Sequence, residues 1–138
     1  MVSLTQTISA MPVRDAPTAV GFYRDRLGFE FLHHDGGFAV LGRDESVVHL
    51  WQAGDESWRE RGSIERPVRS GAESFIAGTA SCRIKGEGVD ERYDELRASD
   101  VLHPVSSEGV SETDFGTREF ATLDQDGNLV AFFQWVER

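Results

Sequence analysis

Two fifteen-residue stretches of the chain, 38–52 and 120–134, align with each other without a gap, and this repeat constrains the fold more than any other feature. Each residue of the second stretch lies 82 positions after its counterpart, and a Phe, Ala, Leu, Asp, Val and Gln are identical between the two. Both stretches have alternating apolar residues on either side of a polar turn, which is typical of a β-hairpin. A hairpin that occurs twice in 138 residues predicts two copies of one larger unit, with a pocket at the face that they share.

Each half of the chain shows the same order of predicted elements: a strand, a helix and three further strands. In the first half the strands are predicted at 5–13, 29–34, 38–42 and 46–52, and the helix lies between Asp15 and Gly28. Asp15 suits a helix N-cap, and Gly28 is typical of a helix C-terminus. In the second half the strands are predicted at 79–85, 101–106, 118–123 and 128–136, and the helix at 89–99. We therefore expect an α+β fold in which two tandem β-α-β-β-β modules form curled mixed sheets around a cleft.

The length of 138 residues fits a single domain, 1–138, that can bury a core. Module one covers about 4–53, a connecting loop covers about 54–78, and module two covers about 79–137. The loop is polar and charged, and it contains Trp58. Long loops without clear structure are often functional, so Trp58 is a candidate ligand contact, with an anchoring role as the alternative.

Composition and charge narrow the classes of partner. The formal charge of −10 argues against a nucleic-acid partner, because binding to phosphates needs clustered Lys and Arg. A negative surface can steer a cationic ligand towards a cleft. The alternative is that the acidic surface only aids solubility. No apolar stretch approaches the roughly 20 residues that span a bilayer, and the N-terminus lacks the pattern of a signal peptide, so we expect no membrane partner. The single cysteine, Cys82, cannot form an internal disulfide, which favours a cytoplasmic location. Strand alternation places Cys82 towards the helices as a small buried residue.

Two motifs resemble those of a known superfamily. The stretch FYRDRLGF at 22–29 and the stretch FGTREFATLDQDGN at 115–128 resemble motifs of the vicinal-oxygen-chelate (glyoxalase/bleomycin resistance/dioxygenase) superfamily. The resemblance is closest to the bleomycin-resistance branch, although Phe115 stands where that branch has Trp and Gln125 where it has Pro. It covers nearly the whole chain and implies the two-module fold, and for this branch it implies a homodimer in which modules of different chains line each cleft.

The enzymes of that superfamily need a metal ion held by His and Glu side chains. The resemblance places the four ligand positions at Ile8, His49, Thr79 and Ala131. Ile8 and Ala131 have no side-chain donor and Thr79 is a poor one, whereas a catalytic metal usually has about three protein ligands. We therefore expect no metal ion, no other cofactor and no catalytic residue in this chain.

Aromatic side chains are predicted to line the cleft instead. Because side chains alternate along a strand, an inward His49 implies an inward Trp51, and the repeat then places Phe133 and Trp135 on the same face of the second sheet. Phe38 and Phe120 occupy matching places in the repeat and are expected to join them. The candidate ligand-binding residues are Phe38, His49, Trp51, Trp58, Phe115, Phe120, Phe133 and Trp135. Such rings suit a flat aromatic or cationic ligand, although sheet aromatics also serve as core.

Three functions remain open at this stage. The first is a metal-independent binding protein that sequesters a basic, aromatic-bearing drug or metabolite of the bleomycin type and gives resistance. The second is a metal-dependent lyase or dioxygenase of the same superfamily, centred on His49. The third is a carrier of an unrelated small molecule. Residues alone do not separate the first from the third, because the choice of ligand depends on the shape of the pocket.

Overall fold

The computed structural model describes residues 1–53 and 76–136. Module one contains β1 (Ser9–Val13), α1 (Ala16–Asp25), β2 (Glu30–Asp35), β3 (Phe38–Arg43) and β4 (Ser46–Gln52). Module two contains β5 (Ser81–Lys85), α2 (Val89–Arg97), a 3-10 turn (Pro104–Ser106), β6 (Ser111–Glu112), β7 (Thr117–Leu123) and β8 (Leu129–Trp135). Each module is therefore a strand, a helix and three strands, as the repeat predicts.

The eight strands form two mixed four-stranded sheets with the same topology. The order is β1-β4-β3-β2 in the first sheet and β5-β8-β7-β6 in the second. In each sheet the first strand of the module runs parallel to the last, and the remaining neighbours are antiparallel. Neither sheet closes into a barrel. The fold is α+β with two β-α-β-β-β modules, which confirms the expectation from the sequence.

Local sequence sets the ends of both helices. The Asp15 side chain accepts a hydrogen bond of 3.0 Å from the backbone N–H of Thr18 and so caps α1. After α1, Gly28 adopts a φ of 78°, a conformation that suits glycine. α2 follows Gly88, and the side-chain oxygen of Gln134 on β8 accepts a hydrogen bond of 2.7 Å from the backbone N–H of Val89. Neither described helix is long and apolar enough to cross a membrane.

One face of each sheet packs on the helices, and we call it the helix face; the opposite face is the inner face. On the helix face of module one, Val48 and Leu50 are buried beneath α1, and on that of module two Val130 and Phe132 are buried beneath α2. These side chains join the buried faces of both helices in one continuous hydrophobic core. The two modules therefore share their core on the helix side, and the inner faces point away from it.

The segment after α2 differs from its prediction as a strand over 101–106. Leu102 makes only an isolated bridge to Thr122, and Pro104 then begins the 3-10 turn, with the His103 ring accepting a hydrogen bond of 3.0 Å from the backbone N–H of Val105. Proline has no N–H for a sheet ladder and a fixed φ that suits the first residue of a helical turn. The edge strand of this sheet is instead the two-residue β6.

The prediction that Phe120 lies on the inner face is wrong. The two hairpins differ in register: two residues separate the last ladder pair of β3 and β4, and five separate the last pair of β7 and β8. If Val48 is matched with Val130 at the offset of 82, their ladder partners Leu41 and Thr122 lie only 81 apart. A shift of one residue moves a side chain to the other face of a strand.

Phe120 consequently corresponds to the buried Ala39, and the counterpart of Phe38 is Glu119. The Phe120 ring is 2% exposed, stacks on Phe132 with centroids 5.3 Å apart, and meets the edge of Tyr93 at 5.3 Å. Phe120 is thus a core residue between β7 and α2. The related expectation that Leu123 matches Leu41 fails for the same reason.

Candidate ligand-binding site

Three rings of module one form an aromatic group on the inner face. Phe38 on β3 is the ladder partner of Trp51 on β4, and their ring centroids lie 4.6 Å apart. The ring of His49 meets that of Phe38 edge-on at 5.0 Å. Trp51 is 40% exposed, whereas Phe38 and His49 are half-buried. The predicted placement of all three on one face is confirmed.

His33 is an inner-face neighbour that the sequence did not identify. It is the ladder partner of Val40, which in turn pairs with His49, so one row of the sheet carries both histidines. The His33 ring lies 6.2 Å from that of Phe38. The register of β2 shifts between Phe31 and His33, and this irregularity decides which face each following residue occupies.

Module two presents Phe133 and Trp135 on its inner face, also as predicted. The two rings meet edge-on with centroids 5.8 Å apart. Trp135 is 56% exposed and pairs with Thr117 in the ladder, and Phe133 is half-buried and pairs with Glu119. Large exposed apolar side chains of this kind mark surfaces that meet a ligand or another chain.

A charged pair that the sequence did not identify crosses this inner face. The Arg83 guanidinium on β5 makes two hydrogen bonds to the Glu119 carboxylate on β7, at 2.8 and 3.3 Å. The guanidinium also lies over the Phe133 ring, 4.5 Å from its centroid. The Thr117 hydroxyl donates a further bond of 2.8 Å to Glu119. The hydrogen bonds from Arg83 hold the pKa of the Glu119 carboxyl below its usual value, so Glu119 is charged at neutral pH.

Small side chains lie in the middle of the same face. Ala131 on β8 pairs with Arg83 on one side and with Ala121 on the other. Two alanines between larger side chains make a shallow floor, with the charged pair and the Phe133 ring beside it. A flat group can approach the sheet closely only where the side chains are this short.

Of the two remaining predicted contacts, only Phe115 is among the described residues. Phe115 is 60% exposed in the turn before β7 and is not part of either ring group. Trp58 lies outside the described residues. The seven described residues of the predicted set therefore divide into the module-one rings, the module-two rings, the exposed Phe115 and the buried Phe120.

The positions that hold a metal in related enzymes do not supply a ligand set here. His49 and Ala131 lie inside β4 and β8, but β1 begins at Ser9 and β5 at Ser81, so Ile8 and Thr79 precede the strands on which they were expected. Ala10 and Arg83 are the residues that pair with His49 and Ala131. Within 1–53 and 76–136, no group of three or more His, Cys, Asp or Glu side chains could hold a metal ion. One imidazole beside alanines does not fit a catalytic metal.

Cys82 is buried on the helix face, as predicted. It is 6% exposed and belongs to the hydrophobic core. Burial raises the pKa of its thiol to about 11. The reactive thiolate is therefore scarce at neutral pH, and the geometry offers no nucleophile at this position.

A cavity of about 840 Å³ lies between the β3–β4 turn of module one and the β5–α2 region of module two. Its lining is mixed in charge and includes Arg92, Glu95 and Lys85. The cavity lies beside the helices rather than over the aromatic groups, but it reaches Arg83 and Phe133 at the β5 edge. Within the part of the chain that the structure describes, Trp51 and Trp135 on the inner faces are 40% and 56% exposed, so these faces are accessible to a ligand or to another chain.

Comparisons with known proteins agree with this architecture. The family model described as the Glyoxalase/Bleomycin resistance protein/Dioxygenase superfamily matches residues 5–132. Bleomycin resistance proteins of Geobacillus stearothermophilus and Staphylococcus aureus are each 49% identical over 134 residues, which cover 97% of this chain and 99% of theirs. A bleomycin-binding protein of the bleomycin producer Streptomyces verticillus, solved with copper(II)-bleomycin, has a TM-score of 0.70 at 24% identity and covers 100% of both chains. At this level of identity, the similarity to the Streptomyces verticillus protein concerns the fold.

Proposed function

The chain belongs to the glyoxalase/bleomycin resistance protein/dioxygenase superfamily, and from this premise we propose that it sequesters a drug of the bleomycin type and so gives resistance. The observation that carries the proposal is the 49% identity to bleomycin resistance proteins over 97% of the chain. A match over 134 residues spans both modules. Sequestration requires only tight binding, so no bond of the drug has to be broken.

The inner faces support binding of a flat, aromatic-bearing molecule. The Phe38 and Trp51 rings are 4.6 Å apart on one sheet, and Trp135 is 56% exposed on the other. Stacking of a ligand ring on such side chains contributes about 1–3 kcal/mol per ring in comparable aromatic platforms. A ligand that is also basic is favoured by the overall charge of −10 and by Asp35, which pairs with Phe38 at the end of β2.

The side chains at the four metal-ligand positions of the family support ligand binding without a metal ion held by the protein. His49 is the only one of the four family positions with a good ligand atom, and Ala131 replaces a donor inside β8. Metal-dependent lyase or dioxygenase chemistry would need further ligands that these positions do not supply. We accordingly assign no catalytic residue and no cofactor.

A symmetric homodimer would complete the cleft. In one chain the helix faces share a core, so the aromatic inner faces point outwards and remain partly exposed. An inner face of module one covered by module two of a second copy would bury these rings and enclose a ligand from two sides, and two-fold symmetry would create two equivalent sites. We place this dimer in the cytoplasm, where the unpaired Cys82 stays reduced.

Expression of the chain in a bleomycin-sensitive bacterium tests the proposal. We expect growth at drug concentrations that stop the parent strain, together with recovery of intact drug from the purified complex. Chemically altered drug would instead support an enzyme. A strain that stays sensitive while producing folded protein would contradict sequestration and favour the carrier of an unrelated ligand.

A further inference from the structure

We propose that the Arg83 guanidinium, held flat by Glu119, is the surface of module two on which a planar ring of the ligand stacks. The inference rests on the proposed function, because it assigns a contact within the same binding site. It adds a cationic side chain to a site that the sequence describes as purely aromatic.

The geometry fixes the plane of the guanidinium. Two hydrogen bonds to one carboxylate, 2.8 and 3.3 Å long, hold Arg83 in the planar fork that only arginine provides. The Phe133 ring supports the guanidinium from one side at 4.5 Å. The bond from the Thr117 hydroxyl fixes the Glu119 carboxylate in turn. Glu119 is therefore a positioning residue that acts through Arg83.

Because of this arrangement, the flat surface that a ligand can contact is the guanidinium of Arg83 rather than the Phe133 ring beneath it. One face of the Phe133 ring is occupied by the guanidinium, and its neighbour Trp135 approaches edge-on at 5.8 Å. The Arg83 side chain is 46% exposed, whereas that of Glu119 is 23% exposed, so Arg83 is the more accessible partner. Stacked guanidinium groups interact well with aromatic faces. Because Arg83 is the ladder partner of Ala131, a planar ring that lies over the alanine floor is next to the guanidinium.

Charge neutralisation makes the site compatible with a basic ligand. An isolated arginine would repel a cationic drug, but the adjacent Glu119 carboxylate cancels its charge at short range. The ligand recognised here is accordingly a flat, uncharged aromatic ring that belongs to a molecule with its positive charge elsewhere.

The chain offers a matched control on the same strand. Arg118 precedes Glu119 on β7 and faces α2, where it makes bonds of 2.6 and 3.3 Å to the Asp90 carboxylate. Both arginines are on sheet strands and make two hydrogen bonds to one carboxylate, with Glu112 as a second, more distant partner of Arg118 at 4.0 Å, but only Arg83 lies on the inner face. Arg118→Met therefore removes a comparable ion pair without touching the proposed site.

Calorimetric titration of copper-loaded bleomycin into the full chain and its variants tests the proposal. We expect Arg83→Met and Arg83→Lys each to weaken binding about 3- to 30-fold, because lysine keeps the charge but lacks the plane. Arg118→Met should bind as the wild type does. Glu119→Gln should weaken binding most at low salt, because an uncompensated Arg83 repels a basic drug and salt screens that repulsion.

A second readout separates stacking from a structural role. The Nε–H proton resonance of Arg83 should move upfield when metal-free bleomycin is added, as expected for a proton above a ring; copper(II) is avoided here because it is paramagnetic. If the wild type binds and Arg83→Lys binds equally well, or if Arg83→Met behaves like Arg118→Met, the inference is wrong and the proposed function stands. If the folded wild type does not bind the drug, both fail together.

Discussion

The Tyr23 hydroxyl donates a hydrogen bond of 2.8 Å to the Asp124 carboxylate, and this buried contact joins α1 of module one to the β7–β8 turn of module two. Asp124 also accepts bonds from the backbone N–H groups of Asp126 and Asn128 and from the Asn128 amide. The Asn128 amide reaches across to the Pro12 carbonyl of β1 at 2.7 Å. The turn at 124–128 thus stabilises the β7–β8 hairpin and also connects the two modules.

Removal of this contact should destabilise the fold, and the loss should be larger when the acceptor is removed than when the donor is. We expect Tyr23→Phe to lower the free energy of unfolding by about 1.5–3 kcal/mol, because it deletes one hydrogen bond to a charged group. Asp124→Ala should cost more, because it also leaves buried donors without an acceptor. Tyr93→Phe is the control, since its hydroxyl donates only to neutral carbonyls, those of Ser106 at 2.8 Å and Ser107 at 3.3 Å, and its loss should cost about 0.5–1.5 kcal/mol. Urea unfolding measures all three, and equal losses for Tyr23→Phe and Tyr93→Phe would contradict the charged contact.

Two phenylalanines that look equivalent in the sequence should behave differently. Phe120→Ala should lower the free energy of unfolding by about 3–5 kcal/mol, because the ring is 2% exposed in the core. Phe38→Ala should cost clearly less, because Phe38 is half-buried on the inner face, but it should weaken ligand binding. Urea midpoints and drug affinities of the same two variants provide the test. A larger loss of stability in Phe38→Ala would reverse the assignment.

These two residues also show how far the sequence could determine the site. Alternation within one strand correctly separates Trp51 from Leu50 and Phe133 from Phe132, because each pattern is local. The ungapped repeat continues across both hairpins, but the register of β7 against β8 depends on how the five residues 124–128 close their turn. Inside that turn Asp124 accepts hydrogen bonds from Asp126 and Asn128, whereas only two residues close the corresponding turn of module one, and an ungapped alignment does not show this difference. The face of Phe120 was therefore assigned wrongly.

The Arg83–Glu119 pair was missed for a related reason. The two residues are 36 positions apart, on strands separated by β8, so their contact depends on the strand order of the sheet. Charged residues are also common on partly exposed strands, so neither Arg83 nor Glu119 stands out in the sequence. The resemblance implied the two modules, but the strand order and the register that bring these two charges over Phe133 come from the structure.

The histidine at the family's metal position should be dispensable for folding. We expect His49→Ala to change the unfolding midpoint little, because the half-buried ring contacts Phe38 and completes no ligand set in the described ranges. Zinc, iron and manganese should bind the wild type no tighter than they bind this variant. Elemental analysis and metal titration measure this. Micromolar or tighter binding that disappears in His49→Ala would restore the enzyme hypothesis.

Alkaline pH should destabilise the protein through Cys82. Burial raises the pKa of the folded thiol from 9.0 to about 11, so its contribution to stability is complete below about pH 9 and is lost as the pH rises towards 11. For a shift of this size the loss is about 2 kcal/mol near pH 10.5. Burial and Asp124 also raise the pKa of Tyr23, which adds a loss of the same sign. Urea unfolding at several pH values should show a shallower decline in Cys82→Ala, and identical pH profiles would refute the prediction.

Calorimetric titration of copper-loaded bleomycin into the wild type and into Trp51→Ala tests sequestration at the aromatic inner face most directly. We expect the wild type to bind about one drug molecule per chain with micromolar or tighter affinity. Trp51→Ala should remain folded and bind more weakly by about 1–3 kcal/mol, which is the contribution of one stacking ring. A folded wild type that releases no heat of binding, or a Trp51→Ala variant with unchanged affinity, would contradict it.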